Sequence, residues 1–369
     1  MKIFIDALNI KRGGGVTVLF RLLKGFASYE ISVRVLLSSP EVYELLKKEQ
    51  FNSTVESELK AELQSQVRAY TYRAFRLKKD IKLYGASSLF CFNFMSPCSF
   101  PQTVFHLNVI PFLDFKQRVH AVGLFRSIAF KLFSQAAITR AKLNIFESKH
   151  LLELAESTQQ DIKNPAVRYI GIDEPNQPLV SGSLSVKRQI VTITSGSAHK
   201  RNDLTIELHR RLNSGKTVGD QVELVIGGFG KEREIRASLS KADNEYIDSV
   251  KSIRFLGYCT RDELFEELSV SSLFVTFSEL ESFYMVALEA MIVGCPVVAP
   301  CISSIEESVG AAGFLFEVGN MEQAEGLVRT LMQAENRAKA SQKSLEWSRQ
   351  FREEECVEQL ISLVHQTYS

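Results

Sequence analysis

The sequence predicts a two-domain α/β protein in which each domain is built around a parallel sheet. A chain of 369 residues is long enough to form two hydrophobic cores. Near the N-terminus, an apolar strand and a glycine cluster precede a helix at 17–28, which is the order of the first unit of a Rossmann-like domain. A second run of alternating strands and helices occupies 256–304, and the polar stretch 173–186 is typical of a linker.

Composition and charge are those of an ordinary globular protein. Hydrophobic residues make up 45% of the chain and charged residues 24%, with a net charge of +1. The six cysteines form no C-x-x-C pair, which favours thiols in a reducing cytoplasm over a disulfide framework or a zinc site. The chain starts directly with a strand, and no apolar run approaches the roughly 20 residues that span a bilayer. We therefore expect a cytoplasmic protein that would act on a membrane only from its surface.

The first strand, at 1–8, is followed by three consecutive glycines. Without a Cβ, Gly14 and Gly15 allow the backbone to come close to a ligand. The pattern is not G-x-G-x-x-G, so it is weak evidence for dinucleotide binding, and a simple tight turn is the alternative.

The segment from residue 63 to residue 146 is basic. It contains twelve lysines and arginines against two acidic residues, with aromatic side chains interleaved. Helices of this composition at 68–82 and 116–142 can lie on anionic lipid, where each basic residue contributes about 1 kcal/mol. The same charge suits a lipid-diphosphate-linked acceptor, whereas nucleic acid is not expected because no nucleic-acid-binding motif is present. The alternative is two ordinary helices with solvated basic faces and buried aromatic residues.

The unit at 256–304 carries the strongest functional signal. A loop containing Glu281 enters a helix containing Glu289, and Gly294 and Pro296 end that helix. The N-terminus of a helix at the carboxyl edge of a parallel sheet attracts phosphate, and a carboxylate on each side can accept hydrogen bonds from sugar hydroxyls. The pattern indicates a nucleotide-sugar. The alternative is a helix packed on a strand, with Glu289 capping or solvated.

Residues 281–299, ESFYMVALEAMIVGCPVVA, resemble the E-x7-E segment of the retaining glycosyltransferases of family 4, commonly EGFGLPxLEAMAxGxPVVA. The resemblance implies the GT-B fold, in which two Rossmann-like domains with parallel sheets face each other across a deep cleft and a C-terminal helix crosses back to the first domain. Ser282 and Tyr284 replace family glycines, which predicts a narrower donor-sugar pocket.

The resemblance also implies roles for individual residues. Glu289 should bind the ribose, and Glu281 the hydroxyls of the donor sugar. Backbone amides of 283–286, together with Lys200 and Arg201, should hold the diphosphate, although a basic pair before a helix is also commonly just solvated. The family's phosphate-binding arginine is missing, because Ser195 or Gly196 stands at its position. The predicted donor-binding residues are Gly14, Gly15, Lys200, Arg201, Gly228, Ser282, Phe283, Tyr284, Met285, Val286 and Glu289.

Another segment, HLNVIPF at 106–112, resembles one that lies at the mouth of the cleft in some family members. It predicts that His106 and Asn108 contact the acceptor. With Glu281 and Lys200, His106 completes the predicted catalytic set. The alternative is a structural histidine whose imidazole is hydrogen-bonded inside the sheet.

The resemblance places an acceptor-binding domain at 1–173, a linker at 174–187, a nucleotide-sugar-binding domain at 188–346 and a returning C-terminal helix at 347–369. The expected activity is retaining transfer from a UDP- or GDP-linked sugar to a saccharide or lipid-linked saccharide, in bacterial surface polysaccharide synthesis at the inner face of the cytoplasmic membrane. Neither a metal nor a cofactor is expected. Two alternatives stay open: an epimerase or phosphorylase of the same architecture, and a non-catalytic relative that binds a sugar nucleotide or a partner enzyme.

Overall fold

A computed structural model describes residues 1–11, 13–49, 51–158, 161–175, 186–228, 232–257 and 259–368. The chain forms two compact units, one made of Met1–Gly171 with Glu353–Ser369, and the other of Ile172–Arg352. Most of the predicted linker at 174–187 lies outside the described residues.

The first unit contains a sheet of seven parallel strands in the order β3-β2-β1-β4-β5-β6-β7. Its central strands are buried along almost their whole length because crossover helices cover both faces. The strands are β1 Lys2–Asp6, β2 Ser32–Leu37, β3 Val55–Leu59, β4 Ser88–Phe92, β5 Gln102–His106, β6 Leu143–Phe146 and β7 Pro165–Val167. The helices that connect them are α1 Gly14–Ser28, α2 Pro40–Lys48, α3 Gln66–Phe75, α4 Leu77–Tyr84, α5 Phe115–Val122, α6 Leu124–Arg140 and α7 Lys149–Thr158.

The second unit contains a sheet of six parallel strands in the order β10-β9-β8-β11-β12-β13. Its strands are β8 Lys187–Thr194, β9 Glu223–Gly228, β10 Ile253–Gly257, β11 Ser271–Val275, β12 Val297–Pro300 and β13 Phe314–Phe316. Its helices are α8 Asn202–Asn213, α9 Glu232–Ala237, α10 Lys241–Ser249, α11 Arg261–Val270, α12 Met285–Ile292, α13 Ser303–Val309, α14 Met321–Leu331 and α15 Ala334–Ser348. The prediction of an α/β protein with two parallel sheets is confirmed.

The chain leaves the second unit later than the predicted boundary at residue 347. The Trp347 indole donates a hydrogen bond of 2.8 Å to the Ser308 carbonyl, and the Phe351 ring lies 5.8 Å from that of Phe283. These contacts hold residues 347–352 in the second unit.

The C-terminal helix, α16 Glu353–Tyr368, belongs to the first unit and packs on α1. The contact is close because Gly25 of α1 has no side chain: a Cβ there would lie 2.1 Å from Val357 Cγ1. The nearby Arg21 is buried, donates to the Gly171 carbonyl and pairs with Glu353 at 3.2 Å. Sequence positions more than 300 residues apart are thus joined in one core.

Replacing Gly25 with Ala should therefore destabilise the protein. The added methyl overlaps Val357 and Ile361, and overpacking of this kind costs about 1–3 kcal/mol. Urea denaturation followed by circular dichroism measures the effect. The matched control is Gly326→Ala in the middle of α14, where an added Cβ meets nothing within 4 Å. That change should stabilise by about 0.5–1 kcal/mol because glycine disfavours helix. Equal unfolding midpoints for the two variants would show that α16 does not pack on α1 in this way.

No single helix among the described residues has the length and hydropathy needed to cross a membrane. The pair α5 and α6 meets that criterion only when its members are taken together, and they are bent by 120° at Gly123.

Candidate active site

The candidate site in the second unit is built where two neighbouring strands end. Strands β8 and β11 pair in parallel, so their carboxyl ends lie side by side at one edge of the sheet. The loop after β8 carries Lys200 and Arg201, and the loop after β11 carries Glu279 and Glu281. This edge is where open α/β sheets bind their ligands.

The structure brings the predicted Lys200 and Glu281 together. Lys200 Nζ donates to Glu281 Oε1 at 2.6 Å, and Ser278 Oγ donates to the same oxygen at 2.6 Å. The two charged side chains are 18% and 14% exposed, so solvent still reaches both. The Lys200 ammonium, from the loop after β8, and the Glu281 carboxylate, from the loop after β11, are thereby held together at the ends of these strands.

Tyr284 does not narrow a sugar pocket as the resemblance predicts. Its side chain is buried, with the hydroxyl 3.0 Å from Thr276 Oγ1 and the ring 5.4 Å below Lys200 Nζ. Its backbone has φ of −93°, which any residue adopts, so glycine is not needed at this position. The ring supports Lys200 from below, and burial raises the pKa of the Tyr284 hydroxyl well above its usual value.

Arg201 adopts the left-handed conformation, with φ of 47° and ψ of 51°. Such a backbone costs a non-glycine residue about 1–3 kcal/mol and is found most often at functional sites. The guanidinium forms two hydrogen bonds with Asp203, at 2.9 and 3.1 Å, and a third with Glu279. These hydrogen bonds raise the pKa of Arg201 and keep the group charged. No pattern in the sequence identified Glu279 or Asp203 as partners of Arg201.

The loop that contains Ser195 and Gly196, where the family's arginine is missing, is held by other groups. Asn202 bridges it, since its side chain accepts from Thr194 Oγ1 at 2.6 Å and donates to the Ser195 carbonyl at 2.8 Å. Gly196 packs so closely that a Cβ there would lie 2.5 Å from the Glu234 carbonyl oxygen. No side chain fits at that position without movement of the backbone.

Gly228, predicted to lie below the nucleotide, ends β9 with φ of 147°. A Cβ there would lie 1.9 Å from the carbonyl oxygen of Thr194. Glycine is therefore required for the packing of β9 against the end of β8. The contact of Gly228 with a nucleotide stays a prediction.

Glu289 lies in α12 and faces a partner that the sequence did not reveal. Arg261 Nε lies 3.7 Å from Glu289 Oε1, and the same guanidinium donates to the side chain and carbonyl of Asp173. Arg261 is the first residue of α11, after a Thr260 cap. No local pattern shows that a residue at such a position reaches a side chain 28 positions later, in the next helix.

At least two of the four amides predicted to hold the diphosphate are already paired inside the protein. The Tyr284 amide donates to Ser308 Oγ at 3.0 Å, and the Met285 amide donates to the Phe283 carbonyl at 3.1 Å. The first turn of α12 is thus partly satisfied by neighbouring groups. This corrects the roles of Tyr284 and Met285, while those of Ser282, Phe283 and Val286 stay predictions.

In the first unit, α1 begins at Gly14, three residues before the predicted start. Gly14 and Gly15 are therefore the first two helical residues, whose amides have no partner within a helix. A Cβ on Gly14 would meet nothing within 4 Å, so packing does not require glycine there. It is Gly13, with φ of 71°, that the backbone restricts to glycine.

His106 is not available as a catalytic or acceptor-binding group in this structure. It is 1% exposed, bonded through Nε2 to Asn144 Oδ1 at 2.9 Å and stacked 4.6 Å from the Phe146 ring. Burial lowers its pKa to about 4, so it stays neutral at physiological pH. The predicted role is wrong because the side chain at the end of β5 turns into the sheet. Asn108 is half-buried and accepts from the Ile110 amide, which fixes the turn after β5.

A model of the family described as Glycosyl transferases group 1 matches residues 174–347. Two characterised relatives match shorter segments. One is a sulfoquinovosyl transferase of Arabidopsis thaliana, 36% identical over 97 residues, which are 25% of this chain and 19% of that protein. The other is O-antigen chain mannosyltransferase B of Escherichia coli, 32% identical over 111 residues, which are 30% of this chain and 29% of that protein. The chain thus matches less than a third of the length of either relative.

Solved structures resemble the whole chain. Sucrose-phosphate synthase of Thermosynechococcus elongatus superposes with a TM-score of 0.80 at 14% identity and covers 100% of this chain and 99% of its own. WaaG, a glycosyltransferase involved in lipopolysaccharide biosynthesis, gives 0.75 at 16% identity over 98% of this chain and 99% of its own. Anabaena HepE in complex with UDP-glucose gives 0.74 at 16% identity over 100% of both chains. These similarities establish the fold, which is the GT-B fold of two parallel sheets, and residues 174–347 form a Glycosyl transferases group 1 domain.

Proposed function

We propose that the protein is a retaining glycosyltransferase of family 4 that uses a UDP- or GDP-linked sugar. The observation that carries this proposal is the pairing of Lys200 with Glu281 at the carboxyl edge of the sheet in a Glycosyl transferases group 1 domain. The acceptor we propose is a saccharide or a lipid-diphosphate-linked saccharide of a bacterial surface polysaccharide. The similarity to an O-antigen mannosyltransferase supports this choice of acceptor.

The charged groups of the site suit departure of a nucleoside diphosphate. As the bond between the anomeric carbon and the donor phosphate breaks, negative charge develops on the phosphate oxygens. Lys200 and Arg201, each held by carboxylates, are fixed cations that can stabilise that charge without reorganisation. In the proposed reaction, the acceptor oxygen bonds to the anomeric carbon on the same face, and its proton passes to the departing phosphate. Glu281 orients Lys200 and accepts hydrogen bonds from donor hydroxyls.

Donor binding tests the proposal directly. We expect UDP- or GDP-sugars, but not ADP- or dTDP-sugars, to raise the melting temperature without added metal. Binding to the native state stabilises it by about 2.7 kcal/mol at a hundredfold excess over the dissociation constant. Glu289→Ala should lose the shift, whereas Glu346→Ala, at an exposed carboxylate of α15, should keep it. Absence of a shift with every nucleotide-sugar would contradict donor use and favour a non-catalytic relative that binds a partner enzyme, an alternative that the missing arginine at Ser195 or Gly196 also supports.

We further propose that the protein works on the inner face of the cytoplasmic membrane through a surface formed by α3–α6. Ten large apolar side chains are exposed there, out of seventeen in the described chain. Exposed apolar patches of this extent mark sites of interaction. The ten are Val67, Tyr70, Phe75, Leu83, Phe115, Leu124, Phe125, Ile128, Leu132 and Phe133.

The two predicted basic segments meet in this α3–α6 surface. The Tyr70 ring of α3 lies 6.2 Å from the Phe133 ring of α6, so the helices are neighbours. Eight basic side chains are exposed on the same helices, between α3 and α4, or directly after α6, a combination that suits anionic headgroups above an apolar bilayer. They are Arg68, Arg76, Lys79, Lys82, Lys116, Arg126, Arg140 and Lys142.

Two of the predicted basic residues are not part of the α3–α6 surface. Arg73 forms hydrogen bonds of 2.6 and 2.8 Å with Asp6 at the end of β1. Burial alone would raise the pKa of Asp6, but Arg73 and Ser96 outweigh it and lower the value. Arg118 is buried against Ser127 and the Leu113 carbonyl. Both guanidiniums are structural and face the protein interior.

A further inference from the structure

A second concave site lies at the opposite edge of the second unit's sheet. It is a pocket of about 380 Å³ lined by Arg188, Arg329, Arg337, Ser272, Met332 and Gln333. Strands β8 and β11 begin here, at Lys187 and Ser271, whereas the candidate active site is at their carboxyl ends. The two sites are therefore at opposite edges of one sheet.

The pocket carries positive charge that the protein does not neutralise. The guanidiniums of Arg188 and Arg337 form no hydrogen bond or ion pair with any residue that the structure describes. Arg329 is fixed, since it bonds to Glu325 at 2.9 Å and to the Arg211 carbonyl at 3.1 Å. The positive potential reaches Lys216, whose pKa is lowered by burial and then by Arg188 and Arg329.

The pocket is built on rigid elements. Arg188 is on β8, which is paired on both sides, and Ser272 Oγ ties the neighbouring strand to the Lys187 carbonyl at 2.7 Å. Asn336 closes the turn between α14 and α15 by donating to the Thr330 carbonyl and to Gln333. Arg337 follows in the first turn of α15, whose N-terminus adds partial positive charge. The backbone positions that carry the three arginines are therefore set by regular structure, and the Arg329 guanidinium is also fixed by its hydrogen bonds.

We propose that this arginine pocket binds a small phosphate-bearing anion, at a site separate from the nucleotide-sugar site. Guanidinium groups match phosphate oxygens with two parallel hydrogen bonds, and three of them around one cavity suit a diphosphate or a sugar phosphate better than a single carboxylate. The volume falls in the range of small-ligand pockets, which is about 300–1,000 Å³. Two unpaired arginines close together repel each other, and a bound anion removes that repulsion.

Isothermal titration calorimetry with sodium pyrophosphate tests the site, with sodium chloride holding ionic strength constant. Lys200→Ala serves as the background because it removes one of the two cations of the proposed donor site and so weakens pyrophosphate binding there. In that background pyrophosphate should still bind, and adding Arg188→Gln with Arg337→Gln should weaken binding by about tenfold or more. The matched control is Lys339→Gln on the exposed face of α15, which should leave the affinity unchanged.

Three results would overturn the proposal: no heat of binding in the Lys200→Ala background, equal affinity with and without the two arginines, or loss of affinity in the Lys339→Gln control. The variants should fold, because Arg188 and Arg337 have no partners to lose within the described chain. Nucleotide-sugar binding by the doubly substituted protein with Lys200 intact should match wild type. Failure of the donor assignment would instead appear as absent nucleotide-sugar binding in every variant, so the two failures are distinguishable.

Discussion

Glu281→Gln should reduce sugar transfer by a factor of about 10²–10³, the loss typical when one fixed electrostatic group is removed from a catalytic site. The substitution keeps the size of the side chain but removes the charge that Lys200 Nζ and Ser278 Oγ both contact at 2.6 Å. Lys200 then loses the carboxylate that orients it, and the donor sugar loses a strong hydrogen-bond acceptor. Initial rates with the donor found in the binding screen, at saturating acceptor, measure the effect.

The nearby Glu279 supplies a matched comparison for this prediction. It is more exposed, at 34%, and its partner Arg201 keeps two hydrogen bonds to Asp203 when Glu279 changes. Glu279→Gln should therefore alter the rate by no more than about fivefold, because an exposed ion pair contributes about 0–1 kcal/mol. Unaltered turnover in Glu281→Gln would refute the role assigned to that residue. Equal losses in both variants would mean that the loop as a whole, and not the Glu281 carboxylate, supports the reaction.

Replacing two exposed apolar residues of α6 should release the protein from anionic membranes. Phe125 is 87% exposed and Leu132 is 61% exposed. Burial of such side chains in lipid stabilises the bound state by about 1.5–3 kcal/mol each. The double variant Phe125→Ser with Leu132→Ser should thus bind at least about tenfold more weakly. Flotation with phosphatidylcholine vesicles, with and without phosphatidylglycerol, measures this, and binding should depend on the anionic lipid because of the exposed basic side chains.

Val218→Ser provides the control, since Val218 is 81% exposed but lies in the second unit. It should bind vesicles as the wild type does. Equal flotation of the wild type and the double variant would rule out the α3–α6 surface as the membrane contact. Light scattering tests whether the α3–α6 surface binds a second copy of the chain. That would be shown by a dimer that forms at higher protein concentration in the wild type and does not form in the double variant.

Patterns that are local in sequence determined the fold and the core of the candidate site. Apolar strands followed by amphipathic helices predicted the α/β architecture. Both patterns, the apolar run of a buried strand and the periodic apolar positions of a helix, can be recognised within a short stretch of consecutive residues. Two strands of the first sheet, β3 and β7, escaped prediction. The first is the polar VESEL and the second only three residues long, so neither has the apolar pattern of a central strand.

The residues brought together at the end of β11 were predictable for a related reason. Lys200 and Glu281 each follow a buried strand, and parallel strands end at one common edge. Their 2.6 Å contact follows once β8 and β11 are neighbours. The order of strands itself, however, depends on which apolar faces pack together, and the periodicity of one strand does not contain that information.

Tertiary structure alone decided the direction in which individual side chains point. His106 and Tyr284 both lie in segments that resemble functional ones, yet each turns inward to a partner supplied by another element, Asn144 and Thr276. Arg73, read as a surface charge, bonds to Asp6, which lies 67 positions earlier. The side chain of a residue at a strand end can point to either face of the sheet. Packing and hydrogen bonds with groups distant in sequence provide the free energy that selects one of the two faces. Sequence therefore determined which chemical groups the protein contains. Tertiary structure determined which of these groups are buried or paired and which can reach a ligand.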